Sequence, residues 1–258
     1  STLYYNSYDI KSDYGWKELV KLIKTIALDF DNIDSVLNVD RTLWAFAVNQ
    51  VIQNLDCYNT YYVHNYYLYQ TKDGLFQMIP WDLDNSFVGA ILGNFWSNSD
   101  SIYQYDPYSV GIDYDNNGIL EIWEERPLVN KLLSHPLYRD IYTAHLRTII
   151  NESLDTALIR ENINQLQSLA YSAANQDYNK LFSMTEYHEN VDNDLWSWWG
   201  FAGIINTVVD RKSYLLSHPE ISSVPPSLNS VNITDEYVML NVENANMVEI
   251  LATLSENN

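Results

Sequence analysis

YYVHNYYLYQTKDGLFQMIPWDLDNSF, residues 61–87, decides how the chain reads. Two runs rich in aromatic and aliphatic residues flank Thr71-Lys72-Asp73-Gly74, and Asp-Gly between such runs is a strong turn signal. The spacing predicts a β-hairpin with strands near 63–70 and 75–80. The second strand ends at Pro80-Trp81, and two acids follow, Asp82 and Asp84. Carboxylates are rarely placed beside a buried strand end without a partner.

A third acid stands on the other side of the hairpin. Residues 40–54, DRTLWAFAVNQVIQN, have helical spacing, with Asp40 as the expected N-cap and an apolar surface nearly all round. Asn54-Leu55-Asp56 follows, then His64-Asn65 leads into the hairpin. A hairpin folds the chain back, so Asp56, Asn65 and Asp82 can gather at one end of it. Phosphoryl transfer from a nucleotide uses such a set: one carboxylate orients and deprotonates the attacking hydroxyl, and an Asn with a second carboxylate holds a metal ion on the phosphates. The alternative is that Asp56 and Asp82 cap turns and Asn65 satisfies backbone.

The composition narrows the classes of function. The 258 residues carry 14 Lys and Arg against 34 Asp and Glu, a net charge of −20. That balance argues against a nucleic-acid backbone or an anionic membrane as partner, and favours a basic peptide or a metal ion. Aromatic residues make up 14%, with 21 Tyr and 8 Trp, which suits polar-tipped core packing or a binding surface. Cys57 is the only cysteine, so no disulfide framework is expected. No run of about 18 apolar residues predicts a membrane span.

Upstream, WKELVKLIKTIAL (16–28) places Trp16, Leu19, Val20, Ile23 and Ala27 on one helical face. Downstream, Pro127 and Pro136 open two amphipathic helices; TALIRENINQLQSLAYSAANQ (156–176) and GIINTVVDRKSYLLSH (203–218) read as two more. DNDLWSWWGF (192–201) is an aromatic cluster suited to core packing or to stacking a sugar or a peptide. Residues 218–230 shift to Pro, Ser and Asn and read as a linker; 231–258 alternate apolar and polar residues like the opening, Ig-like strands of a β-sandwich.

DYDNNGILEIWE, residues 113–124, fits the calcium-binding loop of an EF-hand. Asp113, Asp115 and Asn117 would supply side-chain oxygens, Ile119 a carbonyl, Glu121 a water-mediated contact and Glu124 a bidentate carboxylate, with Gly118 at the sharp turn. The preceding IYQYDPYSVGI is not helical, so the loop would be EF-like with only an exiting helix. An Asx-rich turn without metal is the alternative.

The stretch VNQVIQNLDCYNTYYVHNYYLYQTKDGLFQMIPWDLDNSF (48–87) resembles the signature of the CotH family, the spore-coat-protein-H-like atypical kinases. Its pattern is a helix with LAVN, then N-x-D-x-Y, HNYYLY, a short turn and F-x-x-IPWDLD-x-S/T-F; FAVNQ stands here for the first element. RPLVNKLLSHPLYRDIY (126–142) resembles the family's next helical segment and DRKSYLLSHPEI (210–221) its end, so the resemblance spans about residues 14–220.

The resemblance implies an α+β fold: a mostly helical, protein-kinase-like C-lobe over 1–217 with a β-hairpin at the active site. It implies ATP with Mg²⁺ or Mn²⁺ as cofactor and Ser or Thr of a protein as acceptor, the acidic surface favouring a basic substrate. Asp56 would be the catalytic-loop aspartate, Asn65 the metal-binding asparagine, Asp82 the acid at the place of the DFG aspartate, and Asp84 a support for metal or loop. Asp56 and Asn65 are nine residues apart, against roughly five in ordinary kinases, which leaves Asn59 as the alternative to Asn65.

No G-x-G-x-x-G occurs, and no strand with an obvious Lys precedes Trp16. The expectation is therefore a C-lobe whose small lobe lies upstream of Ser1, in a larger extracellular or cell-surface protein. Two rivals stand beside the kinase: a non-catalytic, calcium-stabilised surface or adhesion module on the same fold, and a glycan-active enzyme using Asp56 and Asp82 as an acid pair.

Overall fold

The computed structural model describes residues 7–61, 63–89, 103–109, 126–196, 200–234, 237–245 and 248. It divides into two units, Ser1–Ile221 and Ser222–Asn258. The loop 113–124, with its six expected calcium ligands, lies outside the described residues, as do residues 197–199 of the aromatic cluster.

The first unit is an α+β body in which helices predominate. Helix α1 spans Trp16–Leu28 and α2 spans Val39–Val51, joined through a 3-10 turn at Phe30–Ser35. The α1 face differs from the predicted one: Leu19, Leu22, Thr25 and Ile26 are buried, while Val20 and Ala27 are exposed. The buried stripe runs through Leu19, Leu22 and Ile26, an i, i+3, i+7 row that the aromatic Trp16 masked in the sequence.

Helix α2 is buried along most of its surface, as its apolar composition requires. Its N-cap is Asn38 rather than Asp40; the Asn38 side chain accepts the Arg41 N–H at 3.0 Å. Asn38 is held there because its own N–H reaches the Phe76 carbonyl at 2.8 Å. Asp40 is left in the first turn, where it bonds His145 Nε2 at 2.8 Å. The helix stops at Val51, short of the predicted 54, because Gln53 turns left-handed at φ 48°.

The predicted hairpin forms from β1 (Tyr66–Gln70) and β2 (Phe76–Pro80), antiparallel, with Tyr66 opposite Pro80 and Leu68 opposite Met78. The first strand begins at Tyr66 and not at 63, because Asn65 sits at φ 54°, where a ladder cannot continue. Gly74 makes the turn at φ 90°. Period-two alternation buries Phe76 and Met78 and turns Tyr67, Tyr69 and Ile79 outward.

From Pro127 the chain is helical: α3 (Pro127–Ser134), α4 (Pro136–Glu152), α5 (Thr156–Gln176), α6 (Met184–Glu189), α7 (Ile204–Ser217) and α8 (Pro219–Ser222). Proline opens α3 and α4, where its missing N–H costs nothing. Asp155 caps α5 by accepting the Leu158 N–H at 2.9 Å. Helix α2 packs on α4, and Leu43, Phe46, Ala47, Tyr142, Leu146 and Ile150 are fully buried in the shared core. Burying each large apolar side chain contributes about 1.5–3 kcal/mol. Phe201 meets Phe182 edge-on at 4.9 Å, the packing role open to the 192–201 cluster.

Two buried arginines tie loops to this core. Arg211 of α7 donates to the carbonyls of Gln50 and Tyr103, each at 3.0 Å, and to that of Tyr105. Arg126 donates to the Tyr61 carbonyl at 2.6 Å.

The second unit contains a separate hairpin, β3 (Ser227–Ile233) and β4 (Val238–Glu243), with a register shift between Leu228 and Ser230. Its first strand begins inside the stretch expected to be linker.

Candidate active site

Past α2 the chain enters a loop built on buried amides. The Asn54 N–H bonds the Asn49 carbonyl at 2.9 Å, and the Asn54 carbonyl accepts Thr60 Oγ1 at 2.7 Å and Cys57 Sγ at 3.2 Å. Asn59 bonds the Phe46 carbonyl at 3.1 Å and accepts from Asn49 Nδ2 at 3.2 Å. Buried polar groups must be satisfied in this way. Asn59 is thus committed to the core and is not the alternative metal ligand. Cys57 is buried too, and desolvation pushes its thiol up to about 12, so it is no nucleophile.

The loop presents Asp56. Its Oδ1 accepts His64 Nδ1 at 2.9 Å and its Oδ2 accepts Asn85 Nδ2 at 3.3 Å. The Asp56 side chain is 18% exposed and that of His64 64%. Asn65 Nδ2 donates to the Asp56 carbonyl at 3.0 Å, and the Asn65 carbonyl accepts the Trp81 N–H at 2.9 Å. The residue pair that starts the hairpin therefore grips both Asp56 and the residue before Asp82.

Asp82 is exposed at φ 52° and stands before a 3-10 turn at Leu83–Asn85. Its side chain makes no capping bond there, and the Asp56 carboxylate is taken up by His64 and Asn85. Neither acid serves as a turn cap. The Asp84 carboxyl is raised above the usual carboxylate range, first by desolvation, then by the charge of Asp82 and, more weakly, that of Asp56. Asp84 thus lies within electrostatic reach of both Asp82 and Asp56 at this end of the hairpin.

Backbone conformation marks the same place. Gln53, Asn65, Asp82, Phe87 and Val88 all have positive φ, and Val88, β-branched and buried, lies at φ 72°. Such conformations cost of order 1–3 kcal/mol each and persist where surrounding bonds enforce them. Here Phe87 N–H bonds the Ile52 carbonyl at 2.6 Å, and Val88 N–H bonds that of Gln53 at 3.2 Å.

The oxygens of Asn65, Asp82 and Asp84 are hard donors of the kind Mg²⁺ and Mn²⁺ take, and a cation would relieve the mutual repulsion of the acids. Among the described residues no three His, Cys, Asp or Glu side chains stand ready-grouped for a metal. The sequence pointed to Asp56, Asn65, Asp82 and Asp84 but assigned no role to His64 and none to Asn85. The signal for both was adjacency, His64 preceding Asn65 and Asn85 following Asp84. The other four histidines all lie against aromatic rings: His145 stacks on Trp44 at 4.0 Å, His218 lies 5.0 Å from the Tyr108 ring, His135 lies 4.4 Å from Tyr138, and His188 lies 5.2 Å from Tyr187.

A helical body that holds a hairpin between a loop aspartate and a second acidic turn has the layout of a kinase-like domain. The family described as CotH kinase protein matches residues 2–198, well over half of the chain, and the chain belongs to that family. No curated protein matches the chain. The family match begins earlier than the resemblance read from motifs and ends before the 210–221 segment.

Proposed function

We propose that this domain transfers the γ-phosphoryl group of ATP to a Ser or Thr hydroxyl of a protein. The observation that carries the proposal is the double grip of Asn65, side chain on the Asp56 carbonyl and carbonyl on the Trp81 N–H, which ties the backbone at Asp56 to the residue before Asp82 and supports reading the two acids as one site. Asp56 orients the acceptor hydroxyl and takes its proton as the hydroxyl oxygen bonds to the γ-phosphorus. The bond from that phosphorus to the β–γ bridging oxygen breaks, and ADP departs. Asn65 Oδ1, Asp82 and Asp84 are the oxygens that would hold Mg²⁺ or Mn²⁺, which when bound offsets the charge of the phosphates. The net charge of −20 favours a basic protein substrate. An extracellular or surface location belongs to this reading on the strength of the motif resemblance.

A second reading is a surface module that does not transfer phosphate. It is favoured by the lack of any G-x-G-x-x-G in the sequence and of any Lys on the four described strands, since kinases cover and pair the phosphates with those elements. The test is phosphate transfer from γ-labelled ATP to a basic, serine-containing peptide with Mg²⁺ or Mn²⁺. The kinase reading expects transfer that Asp56→Asn and Asp82→Asn each abolish. Binding of peptide or nucleotide without transfer supports the second reading.

A further inference from the structure

We infer that Asn85, acting with His64, is a positioning residue for Asp56; the role rests on the phosphoryl-transfer reading above. The Asp56 carboxylate is held at both ends, by His64 Nδ1 at 2.9 Å on Oδ1 and by Asn85 Nδ2 at 3.3 Å on Oδ2. The terminal torsion of an aspartate is otherwise broad and roughly two-fold, so one donor per oxygen is what fixes the plane of the group. Each carboxylate oxygen offers two lone-pair directions. One donor on each leaves the other free for an acceptor hydroxyl, so the clamp orients the base without blocking it.

Asn85 does a second thing that His64 does not. The same Nδ2 reaches Asp84 Oδ1 at 3.2 Å. An amide nitrogen carries two hydrogens, one for each carboxylate. Asn85 therefore bridges the base to the neighbouring acid and adds no charge where three negative groups already meet. The fold makes room for it: a Cβ on Gly89 would stand 3.0 Å from Asn85 Oδ1 and 3.2 Å from the Asp84 carbonyl, and Gly89 lies at φ +51°. Held at this spacing, base and acid keep the acceptor and the phosphate in line, and misplacement of either by about 1 Å costs on the order of a hundredfold in rate.

The experiment measures kcat and KM for ATP, with Mn²⁺ and a basic serine peptide, in wild type, Asn85→Ala, Asn85→Asp, His64→Ala and His64→Gln. Asn85→Ala and Asn85→Asp are expected to lower kcat at least about tenfold with KM for ATP little changed and the melting temperature retained. His64→Gln, which keeps a donor, recovers most of what His64→Ala loses. A variant combining Asn85→Ala with His64→Ala loses less than the product of the single losses, because both residues act on one carboxylate. Wild-type kcat in Asn85→Ala, or a change confined to KM, overturns the role. No transfer by wild type, or full transfer by Asp56→Asn, overturns the phosphoryl-transfer reading and the role with it. An arm independent of transfer reads the Asn85 side-chain amide by NMR: Asp56→Ala should shift its NH₂ resonances, and unmoved resonances show that the clamp does not exist.

Discussion

Asn65 donates its side-chain amide to the backbone carbonyl of Asp56 across 3.0 Å, nine residues back along the chain. At φ 54° Asn65 is also in a region that asparagine tolerates better than other non-glycine residues. Asn65→Ala loses both the bond and that tolerance, for about 2 kcal/mol; Asn65→Gly loses only the bond, for about 1 kcal/mol. Urea unfolding of the two variants measures the gap, and equal losses would show that the backbone conformation is not a constraint.

Arg211 is fully buried and holds three carbonyls, two from the Tyr103–Tyr105 loop and one from α2. Desolvation brings its pKa down to about 10, which still leaves it charged at neutral pH. Arg211→Met fits the volume but strands those acceptors, at about 1–3 kcal/mol for each one left unsatisfied. A loss of at least about 3 kcal/mol is expected by denaturant unfolding, and a loss under about 1 kcal/mol would show the bonds to be incidental.

The fold was legible where one signal sufficed. Asp73-Gly74 between aromatic runs marked the hairpin, and the long run 156–176 marked α5. Errors came where two candidates competed locally and a distant contact chose between them. Asn38 and Asp40 can each cap a helix, and the bond from the Asn38 N–H to Phe76, far along the chain, selects Asn38. The site shows the same division. Acids flanking the hairpin on both sides are visible in sequence, whereas the hold of His64 and Asn85 on Asp56 exists only once the hairpin has folded back.

His145 supplies a pH test. Burial lowers its pKa below the ordinary 6.5, and the hydrogen bond to Asp40, with the charge of Asp40, offsets only part of this. Between the two values the unfolded chain holds more protons than the folded one, so this group's contribution to stability falls as pH falls. The urea midpoint should drop less in His145→Gln than in wild type on going from about pH 7.5 to about pH 5.5. Identical pH dependence in both proteins would contradict the assignment.

The loop 113–124 is proposed to bind Ca²⁺. Asp113, Asp115, Glu121 and Glu124 lie within one short stretch, and a bound cation would offset their repulsion. At a hundredfold excess over Kd a ligand bound only by the folded state adds about 2.7 kcal/mol. Melting with calcium should exceed melting with EDTA by several degrees, and Glu124→Gln should remove most of the difference by deleting the bidentate ligand. Superimposable curves would reduce the motif to a turn.

The central claim is that Asp56 acts on the acceptor while Asp82 acts on the metal. Calorimetric titration of Mn²⁺–ATP, run beside phosphate transfer, separates these roles. Asp56→Asn should bind Mn²⁺–ATP as wild type does and lose transfer by about a hundredfold or more. Asp82→Asn should lose both metal-dependent binding and transfer. If both variants bind and transfer as wild type does, the account of this site is wrong.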